Sequence, residues 1–374
     1  MSLPIIQPQA SSQPPRQAVE FRPHPFLHFG EEKIYHPILD QTLEQGTPGF
    51  RALTDIVQGR TTAGEVEEGV SSVLRHDGWL IPIDFDATRQ FKLKYISFEA
   101  IVRCNQACYF CPVSVAPRED HVMPMDDYRR ILAQLSAYAD TVEGLFMISY
   151  NEPTADPLFV DRVRAIHEAG LPPAVLTNGS GLTPKRVDAL MDMGGLRFLS
   201  FNLSTLDRER YAKDRGGDHL PVVLRNVDYV KDLELAPEMH IAVLGTGDDV
   251  HRRDYEAICE RFAGSRLEPK FYTVNDRAGK MPIGLNTEPS DKKLCGCDYV
   301  GSRPLQHIHI TPRGDCILCC QDYDERYIVG NLYEQTVEEV LTGPEMAKLR
   351  RWIYGIEEAP DDFICRHCVN ALTV

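Results

Sequence analysis

From about residue 92 to 276 the chain alternates short apolar runs with amphipathic ones. The runs KYISFEAIV, GLFMISY, PPAVLTN, RFLSFNLS, MHIAVLG and PKFYTV are rich in β-branched and aromatic residues, which pack well on a pleated surface. Between them lie segments such as DDYRRILAQLSAY and FVDRVRAIHEA, whose apolar residues return every three or four positions as on one helix face. Six strand–helix repeats predict an α/β fold with a parallel sheet over residues 89–280, open or partly closed as a TIM-type (β/α)6 barrel. In such sheets ligand chemistry gathers on loops at the carboxyl ends of the strands. CNQACYFC, SYNEP, LTNGS and NLSTLD all fall there.

Upstream, residues 21–88 read as a small α+β module. Extended FLHFGEEKIYHPI precedes helical GTPGFRALTDIVQG and TAGEVEEGVSSVLRHDGWLI, in which Val66, Val70, Val73 and Leu74 recur at helical spacing. Residues 1–20, rich in Pro, Gln and Ser, hold too little apolar surface to offset ordering entropy and are expected to be disordered. Beyond 281 the alternation stops. A hairpin signal at QHIHITPRGDCILCC and helices TVEEVLTG and PEMAKLRRWIYG remain, with too few apolar residues for a strong core. Residues 281–374 are therefore expected to form a separate unit stabilised by metal.

Composition narrows the functional classes. The 374-residue chain carries a formal net charge of -15, which repels phosphate backbones and argues against a nucleic-acid partner. No long apolar run marks a membrane span, and MSLPIIQPQASSQPPRQ lacks the basic-then-apolar order of a secretory signal, so a cytoplasmic setting is expected. In that reducing compartment eleven cysteines point to metal rather than disulfides. Cys104, Cys108 and Cys111 form one group; Cys295, Cys297, Cys316, Cys319, Cys320, Cys365 and Cys368 form another; Cys259, alone on a helix-like stretch, reads as a small buried apolar residue. The spacing Cys-x3-Cys-x2-Cys puts three soft thiolates on one loop, which suits a [4Fe–4S] cluster with one open iron better than a four-ligand zinc site.

CNQACYFC followed by the βα repeat resembles the radical S-adenosylmethionine superfamily. The resemblance implies that the open iron holds S-adenosylmethionine and that one electron cleaves it to a 5'-deoxyadenosyl radical. By position, Phe110 matches the family's aromatic residue near the adenine. Glu152 in SYNEP stands where the family's Gly-Gly-Glu motif binds the methionyl ammonium, with Tyr150 and Asn151 in place of the glycines. Thr177 and Asn178, then Asn202 and Ser204, offer neutral groups for ribose and carboxylate, and Arg277 resembles a family position near the cluster or the domain junction.

The second cysteine group resembles the SPASM and shorter twitch auxiliary-cluster extensions. Cys297, Cys319 five residues after Gly314, and the pair Cys365 and Cys368 would ligate at least one auxiliary [4Fe–4S] cluster, with zinc at the same four residues as the alternative. Cys295, Cys316 and Cys320 are then spare, and Cys316, Cys320 and Tyr150 are candidates to quench a substrate radical. The amino-terminal module resembles PqqD-like peptide-recognition elements, which capture a peptide as an added strand. The resulting expectation is a radical enzyme acting on a ribosomally made peptide by oxidation, cross-linking or epimerisation, reduced by a flavodoxin or ferredoxin. The alternatives are a dehydrogenase or epimerase of an aminocyclitol or sugar, and a non-catalytic iron–sulfur electron carrier.

Overall fold

The computed structural model describes residues 19–284, 291–299 and 302–374, so most of the segment expected to be disordered lies outside the described residues. The chain divides into two compact units, one ending at Tyr35 and resuming over Thr42–Asp86, the other comprising His36–Gln41 and Ala87–Val374.

The first unit is richer in strands than its sequence suggests. It runs β1 (Phe21–Pro23), β2 (His28–Phe29), β3 (Lys33–His36), β4 (Gln41–Glu44), α1 (Pro48–Val57), α2 (Glu68–His76) and β5 (Leu80–Pro82). Strand β1 pairs with β5, and β2, β3 and β4 form a second small sheet. Helix α1 starts where Thr47 Oγ1 accepts from the Phe50 N–H at 3.2 Å and Pro48 pre-sets the first turn. In α2 the buried residues are Ser71 and Leu74, whereas Val73, expected on the packed face, is 58% exposed. Val73 and Leu74 are neighbours in the chain and point to different faces of the helix, and the packed face takes Leu74.

In the second unit the six predicted strands are all present: β6 (Tyr95–Phe98), β7 (Gly144–Phe146), β8 (Pro173–Thr177), β9 (Phe198–Asn202), β10 (Glu238–Gly245) and β11 (Glu268–Thr273). They pair in chain order and every pairing is parallel. The crossovers carry α3 (Met125–Leu135), α4 (Phe159–Glu168), α5 (Pro184–Asp192), α6 (Arg208–Arg215), α7 (Leu220–Val230) and α8 (Asp249–Arg261). Alternation sorts the two faces. Ile96, Leu145, Val175, Leu199 and Ile241 are 0% exposed, and Phe98 on that face stacks on Tyr128 of α3 at 4.5 Å. On the opposite face Tyr95, Phe146 and Phe198 are only half-buried and line the barrel interior.

The carboxyl-terminal stretch, expected to be a separate unit, adds three strands to the main sheet and keeps only one small antiparallel pair to itself among the described residues. It contains β12 (Leu294–Cys297), α9 (Arg303–Gln306), β13 (His307–Ile310), β14 (Asp315–Ile317), β15 (Ile328–Asn331), α10 (Val337–Leu341), α11 (Pro344–Ile353) and β16 (Ala371–Thr373). Strand β13 lies parallel to β6, and β14 and β15 continue the sheet, giving the order β11-β10-β9-β8-β7-β6-β13-β14-β15 among the described residues. The free edge of β6 explains the difference: its backbone groups need partners, and β13, buried along its whole length, supplies them. A separate antiparallel pair, β12 with β16, sets Cys297 opposite Ala371.

Arg350 of α11 ties this extension to the barrel. Fully buried, it donates to the carbonyls of Pro304 at 2.9 Å, Thr88 at 2.9 Å and Leu341 at 2.7 Å. Arg350→Met would remove three donors to main-chain carbonyls at a buried position and should cost about 3 kcal/mol. The denaturation midpoint of the variant against an exposed control such as Arg129→Met checks this.

Candidate functional site

Beyond β6 the chain turns through Cys104, Cys108 and Cys111, and the end of α6 braces this loop. The Ala107 N–H donates to the Arg215 carbonyl at 2.9 Å and the Tyr109 N–H to the Asp214 carbonyl at 3.0 Å. Gly216 ends α6 at φ 72°, and a Cβ there would stand 2.9 Å from the Ala107 Cβ, so the approach requires glycine. Arg215, 1% exposed, reaches into the site. Its Nη1 donates to Cys108 Sγ at 3.4 Å, its Nη2 donates to Asn202 Oδ1 at 2.8 Å and Ser204 Oγ at 2.6 Å, and it lies 4.9 Å over the Phe110 ring.

Glu152 follows β7 and is 3% exposed. Its Oε1 accepts from Thr154 N at 3.0 Å, Thr154 Oγ1 at 2.5 Å and Thr177 Oγ1 at 2.6 Å, while Oε2 accepts from Asn178 N at 2.7 Å. Burial pushes its pKa up against the downward pull of those bonds. Asn178 Nδ2 donates to Asn105 Oδ1 at 2.8 Å, which joins the Glu152 side of the site to the cysteine loop. Thr177 and Asn178 are both buried.

Tyr150, two residues before Glu152, points the other way. Its hydroxyl donates to the Cys320 carbonyl, and its ring meets Tyr323 edge-on at 4.7 Å. The guanidinium groups of Arg118 and Arg277 lie 5.8 and 5.9 Å from its ring. Its backbone N–H donates at 3.1 Å to Glu99, a fully buried carboxylate that Arg118 grips with bonds of 2.6 and 2.8 Å. Arg277 sits at φ 54° after β11; its charge acts on Tyr150, Cys320, Tyr299 and Cys111, and among the described residues its guanidinium has no hydrogen-bond acceptor.

Cys297, Cys319, Cys320, Cys365 and Cys368 line one cavity, together with Tyr299, Arg303 and Gln321. The pairing of β12 with β16 holds the first of these thiols near the last two, and the Gln321 N–H donates to Cys319 Sγ at 3.4 Å. Thus the four expected thiols come together with Cys320 added. Cys295 is not among the lining residues. Cys316 is 0% exposed in β14: it pairs with Ile310, which pairs with Phe98, so it faces α3 and not the barrel interior. That placement denies it the access that quenching a substrate radical needs. Cys259 is half-buried rather than buried.

The donor chemistry fits iron–sulfur clusters at both cysteine groups. Burial, then Glu152 and the neighbouring thiols, pushes Cys104 up to about 12, and burial raises Cys111. In the second group burial raises Cys319 and Cys365 well above the usual thiol range and Cys368 to about 11. Crowded buried thiols cannot ionise together unless a cation compensates them, which is what iron provides.

Sequence reasoning missed Arg215, Asn105, Glu99 and Arg118. The Arg-Gly-Gly after α6 was a usable signal for the first, since a glycine helix stop marks where the chain turns back toward the site.

The profile of the Radical SAM superfamily matches residues 98–262, and that of the SPASM iron-sulfur cluster-binding domain matches residues 297–369. The chain is 21% identical over 286 residues to the S-adenosyl-L-methionine-dependent 2-deoxy-scyllo-inosamine dehydrogenase of Niallia circulans, covering 74% of this chain and 92% of that one. It is 38% identical over 209 residues to the PqqA peptide cyclase of Ruegeria pomeroyi, covering 51% of each. Its fold is similar to the crystal structure of Streptococcus suis SuiB bound to precursor peptide SuiA, with TM-score 0.56 and 14% identity over 88% of this chain and 90% of that one.

If Arg215 holds the cysteine loop as this geometry indicates, Arg215→Met removes charge-assisted bonds worth about 1.5–3 kcal/mol each. Cys108 in the apo chain should then react with a maleimide at least about tenfold faster than in the wild type. Alkylation followed by peptide mapping measures it.

Proposed function

The chain belongs to the radical SAM superfamily and carries a SPASM cluster-binding domain, and on that premise we propose that it oxidises a peptide at an unreactive carbon. When bound, the cluster and S-adenosylmethionine supply a one-electron cleavage that yields a hydrogen-abstracting radical. Cys104, Cys108 and Cys111 would hold that cluster. Glu152, immobilised through Oε1 and with one donor on Oε2 among the described residues, has acceptor capacity left for the methionyl ammonium. Arg215 offers a fixed cation for the methionyl carboxylate, with Phe110 beneath it for the adenine. Asn202 and Ser204 serve in this reading by orienting Arg215. Cys297, Cys319, Cys365 and Cys368 would hold an auxiliary cluster.

The observation that carries the oxidative outcome is Tyr150. One loop supplies Glu152 to the first site and, through the Tyr150 hydroxyl, a bond to Cys320 at the second. A substrate in the barrel interior would lie between an oxidising radical and an electron acceptor. Peptide as substrate class is favoured by the 38% identity to a peptide cyclase and by the first unit. There a groove runs between β1, at Phe21, Arg22 and Pro23, and the end of α1 at Ile56. Among the described residues strand β1 pairs with β5 alone, which leaves its other edge to take an added strand in this reading. A small cyclic polyol is the second reading, because the inosamine dehydrogenase is matched over 92% of its length.

The reconstituted, anaerobically reduced full-length protein should form 5'-deoxyadenosine, and a peptide encoded beside its gene should lose the mass of two hydrogen atoms. Replacing Cys104, Cys108 and Cys111 together by Ala should abolish both. Unchanged peptides with oxidation of an aminocyclitol would decide for the second reading, and no 5'-deoxyadenosine would overturn both.

A further inference from the structure

Arg303 is a largely enclosed cation with no carboxylate partner among the described residues. It opens α9 and lines the Cys297 cavity. Two other enclosed guanidinium groups of the second unit do have carboxylate partners: Arg118 is paired with Glu99 and Arg162 with Asp156. Arg303 instead donates from Nη1 to the Nε2 atoms of His307, at 3.1 Å, and His309, at 3.4 Å, and overlies the Tyr299 ring at 4.1 Å. Since both Nε2 atoms accept, each imidazole carries its proton on Nδ1 and is neutral. Burial, then Arg303 itself, holds both histidines well below their ordinary pKa, so they add no charge of either sign.

The position is fixed as well as uncompensated. Ser302, fully buried at φ 145°, is held through a 2.6 Å bond between its Oγ and the Tyr354 hydroxyl, which sets where Arg303 enters the cavity. The groups on which its charge acts are Cys320, Tyr299, Cys319 and Cys297. An enclosed guanidinium without a carboxylate is costly unless negative charge is supplied by something else. Four thiolates around iron supply it, because a fully thiolate-ligated cluster is a net anion whose charge grows on reduction.

We propose that Arg303 is the built-in counter-cation of the auxiliary cluster and raises its reduction potential, with His307 and His309 as neutral acceptors that position the guanidinium without cancelling it. The inference rests on the reading of the Cys297 cavity as a cluster site. A fixed positive charge beside the cluster stabilises the reduced form more than the oxidised one, the direction that suits an electron acceptor.

Redox titration of the reconstituted protein, followed by electron paramagnetic resonance, tests this without reference to turnover. Arg303→Gln should move the midpoint of the auxiliary cluster to more negative potential and leave the Cys104-site cluster where it is; an unmoved auxiliary midpoint at full iron content overturns the proposal. Arg303→Lys, which keeps the charge, should stay near wild type. His309→Glu, which keeps the arginine but gives it a carboxylate partner, should shift negative, and no shift there also overturns it. If Arg303→Gln and His309→Glu both lose the cluster while Arg303→Lys retains it, the charge is what the cluster needs, as proposed; loss from the lysine variant too would make the role one of shape and overturn it. A wild-type content of about four irons per chain rather than about eight would instead sink the underlying reading of the cavity.

Discussion

Charge inside a protein must be compensated, and around its cysteines the second unit leaves several enclosed charges without an opposite partner among the described residues. Arg118 and Arg162 are paired with carboxylates, and Arg350 is surrounded by carbonyls. Arg215, Arg277 and Arg303 have no carboxylate partner among the described residues, and each acts on at least one thiol. Glu152 is the complementary case, a buried carboxylate satisfied by neutral donors with no cation beside it. Three unpaired cations, one unpaired anion and crowded thiols would be a poor arrangement for an apo protein. With anionic clusters and a zwitterionic amino acid in place, each finds its opposite.

The parts of this arrangement legible in the sequence were those with short-range signatures. Strand alternation located β6 to β11, and cysteine spacing separated the two thiol groups, because both signals lie within a few residues. What escaped depended on pairing over long separations. HIHI reads as one arm of a hairpin; only the vacant edge of β6 makes it a central strand, and that places His307 and His309 inside and Cys316 outside. Arg215 reads as one more charge in RERYAKDR, a polar helix, until Gly216 lets the chain close on Ala107 and the guanidinium turns inward. The six-residue separation of Gly314 and Cys320 likewise gives no hint that Cys320 joins the expected four thiols, since that follows from the fold of the cavity wall.

Because β13 is hydrogen-bonded to β6, the auxiliary site is built into the barrel rather than suspended from it. The loop after β6 carries Cys104 to Cys111, and the hairpin that follows β13 leads to Cys319 and Cys320, so adjacent strands of one sheet deliver the first group and part of the second, while Cys297, Cys365 and Cys368 come from around the β12–β16 pair. Tyr150, from the neighbouring β7, closes the gap with its bond to the Cys320 carbonyl, and its ring is held by Tyr323 and two guanidinium groups. Three adjacent strands of a continuous hydrogen-bonded sheet cannot slide independently, so strand geometry fixes Cys319 and Cys320 relative to the Cys104 loop. Electron transfer between sites rewards a fixed separation.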